Sequence, residues 1–201
     1  MKLNKILTLS AVCATLLITG CANNEQNITT TKKDIVSDKE IKLQAKQAII
    51  AVGGALKKNM IEKMKAGGPA NAAEFCSVSA TNLAKEVSKT LPEGVSVKRI
   101  TDKPRNINNQ ATQEQSKILK ELESNMKQDK KADTLVKQIS NNHYQVYKAV
   151  QVGGKCTICH GTETKRNQNA YNVIASKYPN DKAIDYKKGD FRGAFLVDII
   201  K

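Results

Sequence analysis

Apolar positions recur at helical spacing from Ile41 through Ala45, Ala48, Val52, Leu56 and Met60. A period near 3.6 predicts a long amphipathic helix with one face turned to a core. Gly53-Gly54 weaken it, and Gly67-Gly68-Pro69 predict its stop, because glycine favours helix ends and proline cannot continue a helix. A second helix places Cys76, Ala80, Leu83 and Val87 on one stripe and ends by Pro92-Glu93-Gly94. Val95, Val97 and Arg99 then alternate with Ser96 and Lys98, the period of two expected of a strand. After an Asn-rich loop over residues 104–110, Thr112 and Gln115 predict a capping box for a helix carrying Ile118, Leu119, Leu122 and Met126. Residues 134–140 and 143–152 read as two strands joined through Asn141-Asn142 in the manner of a hairpin. A short helix over 170–177 and a strand over 194–200 close the chain. This order predicts an α+β domain, with antiparallel strands and helices packed on one side.

The N-terminal residues follow a different pattern. Lys2 and Lys5 precede an apolar stretch, residues 6–18, that is too short to span a bilayer. It runs into Leu17-Ile18-Thr19-Gly20-Cys21, which resembles the lipobox of bacterial lipoproteins. That resemblance implies cleavage before Cys21 and acylation of Cys21, with residues 1–20 a removed signal peptide. The plainer alternative is an ordinary secretory signal in which Cys21 is incidental. Ala22 after the cysteine resembles the outer-membrane form of the sorting signal. Residues 21–40 are then expected to be a lipidated flexible tether, since 22–34 are polar with a single Ile, and residues 41–201 the folded domain. No other segment is long and apolar enough for a transmembrane helix, so the expectation is a lipid-anchored protein on the periplasmic side.

Charge narrows the partners. The chain holds 33 Lys+Arg against 19 Asp+Glu, a formal +14. Removing residues 1–20 takes away two lysines and no acid, which leaves 31 basic against 19 acidic residues and a net +12. The excess comprises 29 Lys and only four Arg: Arg99, Arg105, Arg166 and Arg192. Bidentate guanidinium readout of phosphates or base edges has little material here, which argues against nucleic acid. An anionic membrane or an acidic protein partner remains. Aromatic residues are only 4% and Trp is absent, so the core lacks its usual large flat fillers.

Cys156-Thr157-Ile158-Cys159-His160 is the c-type haem attachment signature. Two thiols three positions apart add to the two vinyl groups of one haem, and the adjacent imidazole takes the iron. Five Cys and two His in 201 residues produce this pattern by chance roughly 0.001 times per chain. A structural zinc site wants four ligands, and no second Cys pair is present. A redox CxxC is expected beside a βαβ unit, which the pattern lacks. In an exported chain Cys156 and Cys159 can also pair as a disulfide. The reading is one covalently attached haem c. The sixth iron position stays open on residues alone. His143 lies beside a hairpin turn. Met60, Met64 and Met126 lie on helices, where Met is usually core, and Cys76 lies on an apolar stripe.

Several stretches then combine: Phe75-Cys76-Ser77-Val78-Ser79-Ala80, Val97-Lys98-Arg99-Ile100-Thr101, Arg105-Asn106, Asn109, Glu114 and residues 156–161. They continue through Tyr178-Pro179-Asn180-Asp181-Lys182-Ala183 and Gly189-Asp190-Phe191-Arg192-Gly193-Ala194-Phe195. Covering most of residues 70–200, they resemble a family of bacterial c-type cytochromes with a PAS-like sensor fold, known from a cyanobacterial member. The segment RNINNQA and the pair Ile184-Asp185 depart from the family pattern. The resemblance implies a PAS-like antiparallel sheet with flanking helices, and iron ligated by His160 and Cys76. A thiolate ligand favours ferric iron and lowers the potential below that of a Met/His cytochrome. Arg99, Arg105 and Arg192 are the candidates for the haem propionates, since three of only four arginines lie in these stretches. The expected function is that of a membrane-tethered, extracytoplasmic one-haem cytochrome passing single electrons to an acidic redox partner. The alternative is a haem-based redox or gas sensor acting through a separate partner. A small reductase is a third reading; it wants an open coordination position and acid–base groups, and neither is evident if Cys76 binds the iron. A haem would also supply the large flat group the core lacks, and two ionised propionates bring the charge to about +10.

Overall fold

A computed structural model describes residues 37–201. The expected signal peptide, Cys21 and the expected tether through residue 36 lie outside the described residues. Ser37 opens the first helix, α1 (Asp38–Glu74), by accepting a hydrogen bond from Glu40 N at 3.3 Å. Asp38 and Glu40 lie in its first turn, where carboxylates favour the helix dipole. The helix therefore begins three residues ahead of its first apolar position, inside the segment expected to be tether. Ile41, Ala45, Ala48 and Val52 are buried, whereas Leu56 and Met60 on the same stripe are only half-buried.

The expected stop at Gly67-Gly68-Pro69 is instead a kink. Gly67 (φ −150°) and Gly68 (φ 69°) leave the helical region, and the chain re-enters it at Pro69. Proline is tolerated in the first turn of a helical segment, where its missing N–H has no partner to lose. Asn71 Nδ2 donates to Lys63 O at 3.0 Å across the bend. The returning chain passes through a π-turn (Phe75–Ser79) into α2 (Ala80–Ser88).

Four strands, β1 (Val95–Ile100), β2 (Thr134–Gln138), β3 (His143–Gln151) and β4 (Phe191–Ile200), form one antiparallel sheet in the order β1-β4-β3-β2. The hairpin expected at Asn141-Asn142 joins β2 to β3. Between β1 and β2 lies α3 (Gln113–Gln128), opened by the Thr112/Gln115 capping box. A single turn, α4 (Thr157–His160), and α5 (Gln168–Lys177) fill the β3–β4 connection.

Helices cover both faces of the sheet, which corrects the expectation of one. On one face α1 lays Ile41, Ala45 and Ala48 on Val95, Tyr144, Val146, Val197 and Ile199. On the other, α3 lays Leu119 and Leu122 on Ile100, Tyr147, Ala194 and Leu196. The reason is written in β3 and β4. Val146-Tyr147 and Leu196-Val197 are buried at successive positions, so the central strands turn apolar side chains both ways and both sides need cover.

After the bend at Gly67-Gly68 the chain packs back against α1 and α5, and Cys76 and Phe195 line one cleft. Gly53 matters here. A Cβ at that position would lie 2.9 Å from Phe195 Cζ, so the residue that weakens helix propensity also admits the Phe195 ring. The second part of α1 rests on α5 through Ala73, Ala170 and Ile174.

Candidate functional site

The Cys156–His160 segment folds as a short 3-10 turn (Gly154–Cys156) continued by α4. Thr157 Oγ1 donates to Gly154 O at 2.7 Å and fixes the junction. Helical winding brings positions 156, 159 and 160 to one side. The thiols of Cys156 and Cys159 are free, not joined to each other. His160 Nδ1 donates to the Ala183 carbonyl at 2.7 Å. Burial, then the nearby Arg105 and Arg192 charges, push the imidazole down to about 3, against the opposing pull of the Ala183 carbonyl. The ring is therefore neutral with its Nε2 lone pair uncommitted, the form in which histidine ligates a metal.

Arg105 braces this segment. Its Nε donates to Asp181 Oδ2 at 3.0 Å, and its Nη2 to Cys159 O at 2.8 Å. Asp181 Oδ1 in turn accepts from Ala183 N at 2.8 Å. Arg105 is thus committed largely to protein groups. Arg166, the arginine the sequence reading passed over, donates to Gly161 O at 3.3 Å and lies 4.2 Å over the Tyr171 ring, steadying the turn after the motif. No periodicity or spacing in the sequence marks Asp181 or Ala183, whose partners Arg105 and His160 lie in other segments.

Two clefts meet at this end of the sheet. One, of about 600 Å³, is lined by Val52, Leu56, Cys76, Ala84, Tyr178 and Phe195 among others. The second, of about 320 Å³, is lined by Val152, Cys156 and His160. Arg99, Asn109 and Arg192 line both, and each volume falls in the range of about 300–1,000 Å³ usual for small-molecule and cofactor sites. Cys76 lies in the π-turn, which adds a residue to the helical winding and turns the thiol out of the packed stripe. The expectation of a buried apolar position is corrected accordingly: Cys76 is accessible from the cleft. The cleft walls still crowd it, and burial, aided by Cys159 and opposed by Arg105, pushes its thiol up to about 11.

Arg99 and Arg192 are the unsatisfied groups of the site. Arg99 Nη2 donates to Arg192 O at 3.3 Å and its guanidinium lies 4.8 Å over the Phe195 ring. Arg192 Nη1 donates to Thr101 Oγ1 at 3.0 Å and its guanidinium lies 5.4 Å from the Tyr186 ring centre. Among the described residues the arginine–carboxylate pairs are Arg105–Asp181 and Arg166–Asp185, so neither cleft arginine has an acid partner. The Nε atoms of both are buried without a hydrogen-bond acceptor. Burial, then the charge of Arg192, pushes Arg99 down to about 9, and burial lowers Arg192 as well. Both remain cationic at neutral pH. Two half-buried cations whose Nε atoms lack an acceptor, with no carboxylate paired to them, favour an anionic ligand between them.

The other sixth-ligand candidates lie elsewhere. His143 Nε2 bonds Asp198 Oδ1 at 2.9 Å at the start of β3, Met126 is buried under α3, and Met60 and Met64 line neither cleft. Of those candidates, only Cys76 faces the space between.

The profile of the Tll0287-like family (Tll0287) matches residues 23–199. No match was found among curated proteins. Among solved structures, the fold is similar to the crystal structure of the cyanobacterial heme-protein Tll0287, with a TM-score of 0.52 and 19% sequence identity. The likeness covers 81% of this chain and 94% of that one. A four-stranded antiparallel sheet with flanking helices, matched by the family profile over nearly its whole length, places the chain in the Tll0287-like family.

Proposed function

We propose that this protein is a membrane-tethered, extracytoplasmic c-type cytochrome that carries one covalent haem and transfers single electrons. The observation that carries the reading is the half-buried, acid-free pair Arg99 and Arg192, their Nε atoms buried without acceptors, set where the Cys76 cleft meets the Cys156/His160 cleft. In this reading Cys156 and Cys159 would attach the haem covalently through their thiols, and His160 Nε2 and Cys76 Sγ would hold its iron. Arg99 and Arg192 neutralise its propionates, with Arg105 alongside. Bound haem supplies a one-electron Fe(III)/Fe(II) couple. The residues of the chain orient it, exclude water and set its charge environment. Membership of a family named for a haem protein supports the cofactor, and the sheet with helices on both faces supports a PAS-like scaffold. A lipid on Cys21 would hold the protein at the periplasmic side of the outer membrane, where its basic surface faces anionic lipid or an acidic redox partner.

One observation favours a second reading, a haem-based redox or gas sensor acting through a separate protein. Cys76 sits in a π-turn, the kind of local irregularity that frequently marks functional sites and would suit a displaceable ligand.

The test is a haem stain of the denatured chain together with absorption spectra with and without dithionite. Covalent haem is expected, lost in Cys156→Ala and Cys159→Ala. Cys76→Ala is expected to change the spectrum and raise the potential. A wild-type chain without covalent haem overturns the reading, and an unaltered spectrum and potential in Cys76→Ala removes Cys76 as a ligand. CO or NO binding by the reduced protein separates sensor from carrier.

A further inference from the structure

We infer that the buried Arg105–Asp181 pair is a charge-balanced clamp that orients His160 and sets the reduction potential of the iron, an inference resting on His160 being an iron ligand. Three separate segments close one ring. His160 Nδ1 donates to Ala183 O at 2.7 Å, and Ala183 N donates to Asp181 Oδ1 at 2.8 Å. Arg105 Nε donates to Asp181 Oδ2 at 3.0 Å, and Arg105 Nη2 donates to Cys159 O at 2.8 Å. The peptide bond from Cys159 to His160 completes the circuit. The same segments are tied by Lys182 N to Pro104 O at 3.0 Å and by Tyr186 N to His160 O at 2.9 Å.

Both charged side chains are out of water, at 13% exposure for Arg105 and 1% for Asp181. A desolvated pair exerts little net field when whole, but either half alone leaves a full charge in a poorly screened place. Arg105 Nη2 lies 3.3 Å from His160 Nδ1, so that charge would stand directly behind the iron ligand. Ferrous iron carries one positive charge fewer than ferric. A lone cation at Arg105 therefore favours the reduced state, and a lone carboxylate at Asp181 the oxidised state. The carboxylate also aims the Ala183 carbonyl at Nδ1, which holds the ring in one tautomer and strengthens Nε2 as a donor.

The two halves consequently shift the potential in opposite directions. Asp181→Asn keeps the shape but frees the Arg105 charge, and the potential of the haem-loaded protein is expected to rise. Arg105→Gln frees the Asp181 charge, and the potential is expected to fall. The double variant should return close to wild type. Arg105→Lys, which keeps the charge and loses the fork, should hold the potential near wild type even where the melting temperature drops. A purely structural staple would move both single variants the same way, and that result overturns the inference. A readout without haem exists because the chain has only two histidines. In the full chain made without haem, ¹⁵N NMR is expected to find His160 as the Nδ1–H tautomer, and Asp181→Ala to mix the two tautomers. An unchanged tautomer in Asp181→Ala also overturns the clamp. Absence of covalent haem in the wild type overturns only the functional reading, with the tautomer still judging the clamp.

Discussion

Gly193 shows how much a single position can carry. It has φ 98°, and a Cβ there would collide with the Ile100 carbonyl oxygen and come within 2.8 Å of Thr101 Cβ. Gly193→Ala therefore meets both backbone strain and a clash, and is expected to cost about 2 kcal/mol or more in urea unfolding. Its neighbours Arg192 and Thr101 line the clefts, so cofactor loading should fall with it. Tyr147 carries a pH dependence. Its ring is buried, its hydroxyl donates to Gln145 Oε1 at 2.7 Å, and burial, then Asp198, push the phenol up to about 12. The folded state thus holds this proton more tightly than the unfolded chain does. The contribution of Tyr147 is complete below the unfolded pKa of about 10 and is lost as pH rises through about 12. Between those values the wild type should lose roughly 2 kcal/mol relative to Tyr147→Phe. Urea titrations of both proteins from pH 9 to 12 measure the difference, and a constant gap would refute it.

At the scale of elements, local patterns were legible wherever the deciding contacts lie within a few residues. Thr112 Oγ1 accepts from Gln115 N at 3.2 Å, and Gln115 Oε1 accepts from Thr112 N at 3.1 Å. Thr112→Ala should accordingly cost about 1 kcal/mol, read as a lower urea midpoint at unchanged slope. The hairpin at Asn141-Asn142 and the stripe Leu119, Leu122 and Met126 were legible for the same reason. The Gly67-Gly68-Pro69 break was half legible: breaker residues announce an interruption, but not whether the chain resumes as helix. The π-turn was not legible. Its composition, Phe75-Cys76-Ser77-Val78-Ser79, is compatible with an ordinary helix, and Tyr178 packs there, its hydroxyl donating to Ser77 O at 3.3 Å.

Across the whole molecule, the energetic signature of the site is charge left without a partner. Replacing Arg99 by Met removes a cation whose Nε lacks an acceptor and keeps much of its bulk over Phe195. The haem-free chain is then expected to become more stable by about 1 kcal/mol or more, while covalent haem content or retention falls. Thermal unfolding of the haem-free protein and the haem stain report the two effects separately. A loss of stability in the haem-free chain would mean that Arg99 is a structural strut. The sparse aromatic content fits the same picture. Among the described residues Tyr147 is the one aromatic of the largest fully buried side chains, the rest being aliphatic, and Phe195 and Tyr178 line the larger cleft.

By itself, the sequence determined those features whose physics is local: the strands and helices, the capping box, the hairpin, and the Cys156-Thr157-Ile158-Cys159-His160 motif with thiols and imidazole on one turn. The successive apolar residues Val146-Tyr147 and Leu196-Val197 also lie in the sequence, but that both faces of the sheet carry a helix shows only in the fold. Only the tertiary structure decided that Cys76 opens into a cleft with Arg99 and Arg192, and that Arg105 is held by Asp181. It also decided that the Ala183 carbonyl selects the tautomer of His160. Those outcomes depend on segments up to about a hundred residues apart being brought together, as with Arg99 and Arg192 or Arg105 and Asp181. Hydrogen bonding and desolvation between such segments act through space, at distances that sequence spacing does not record.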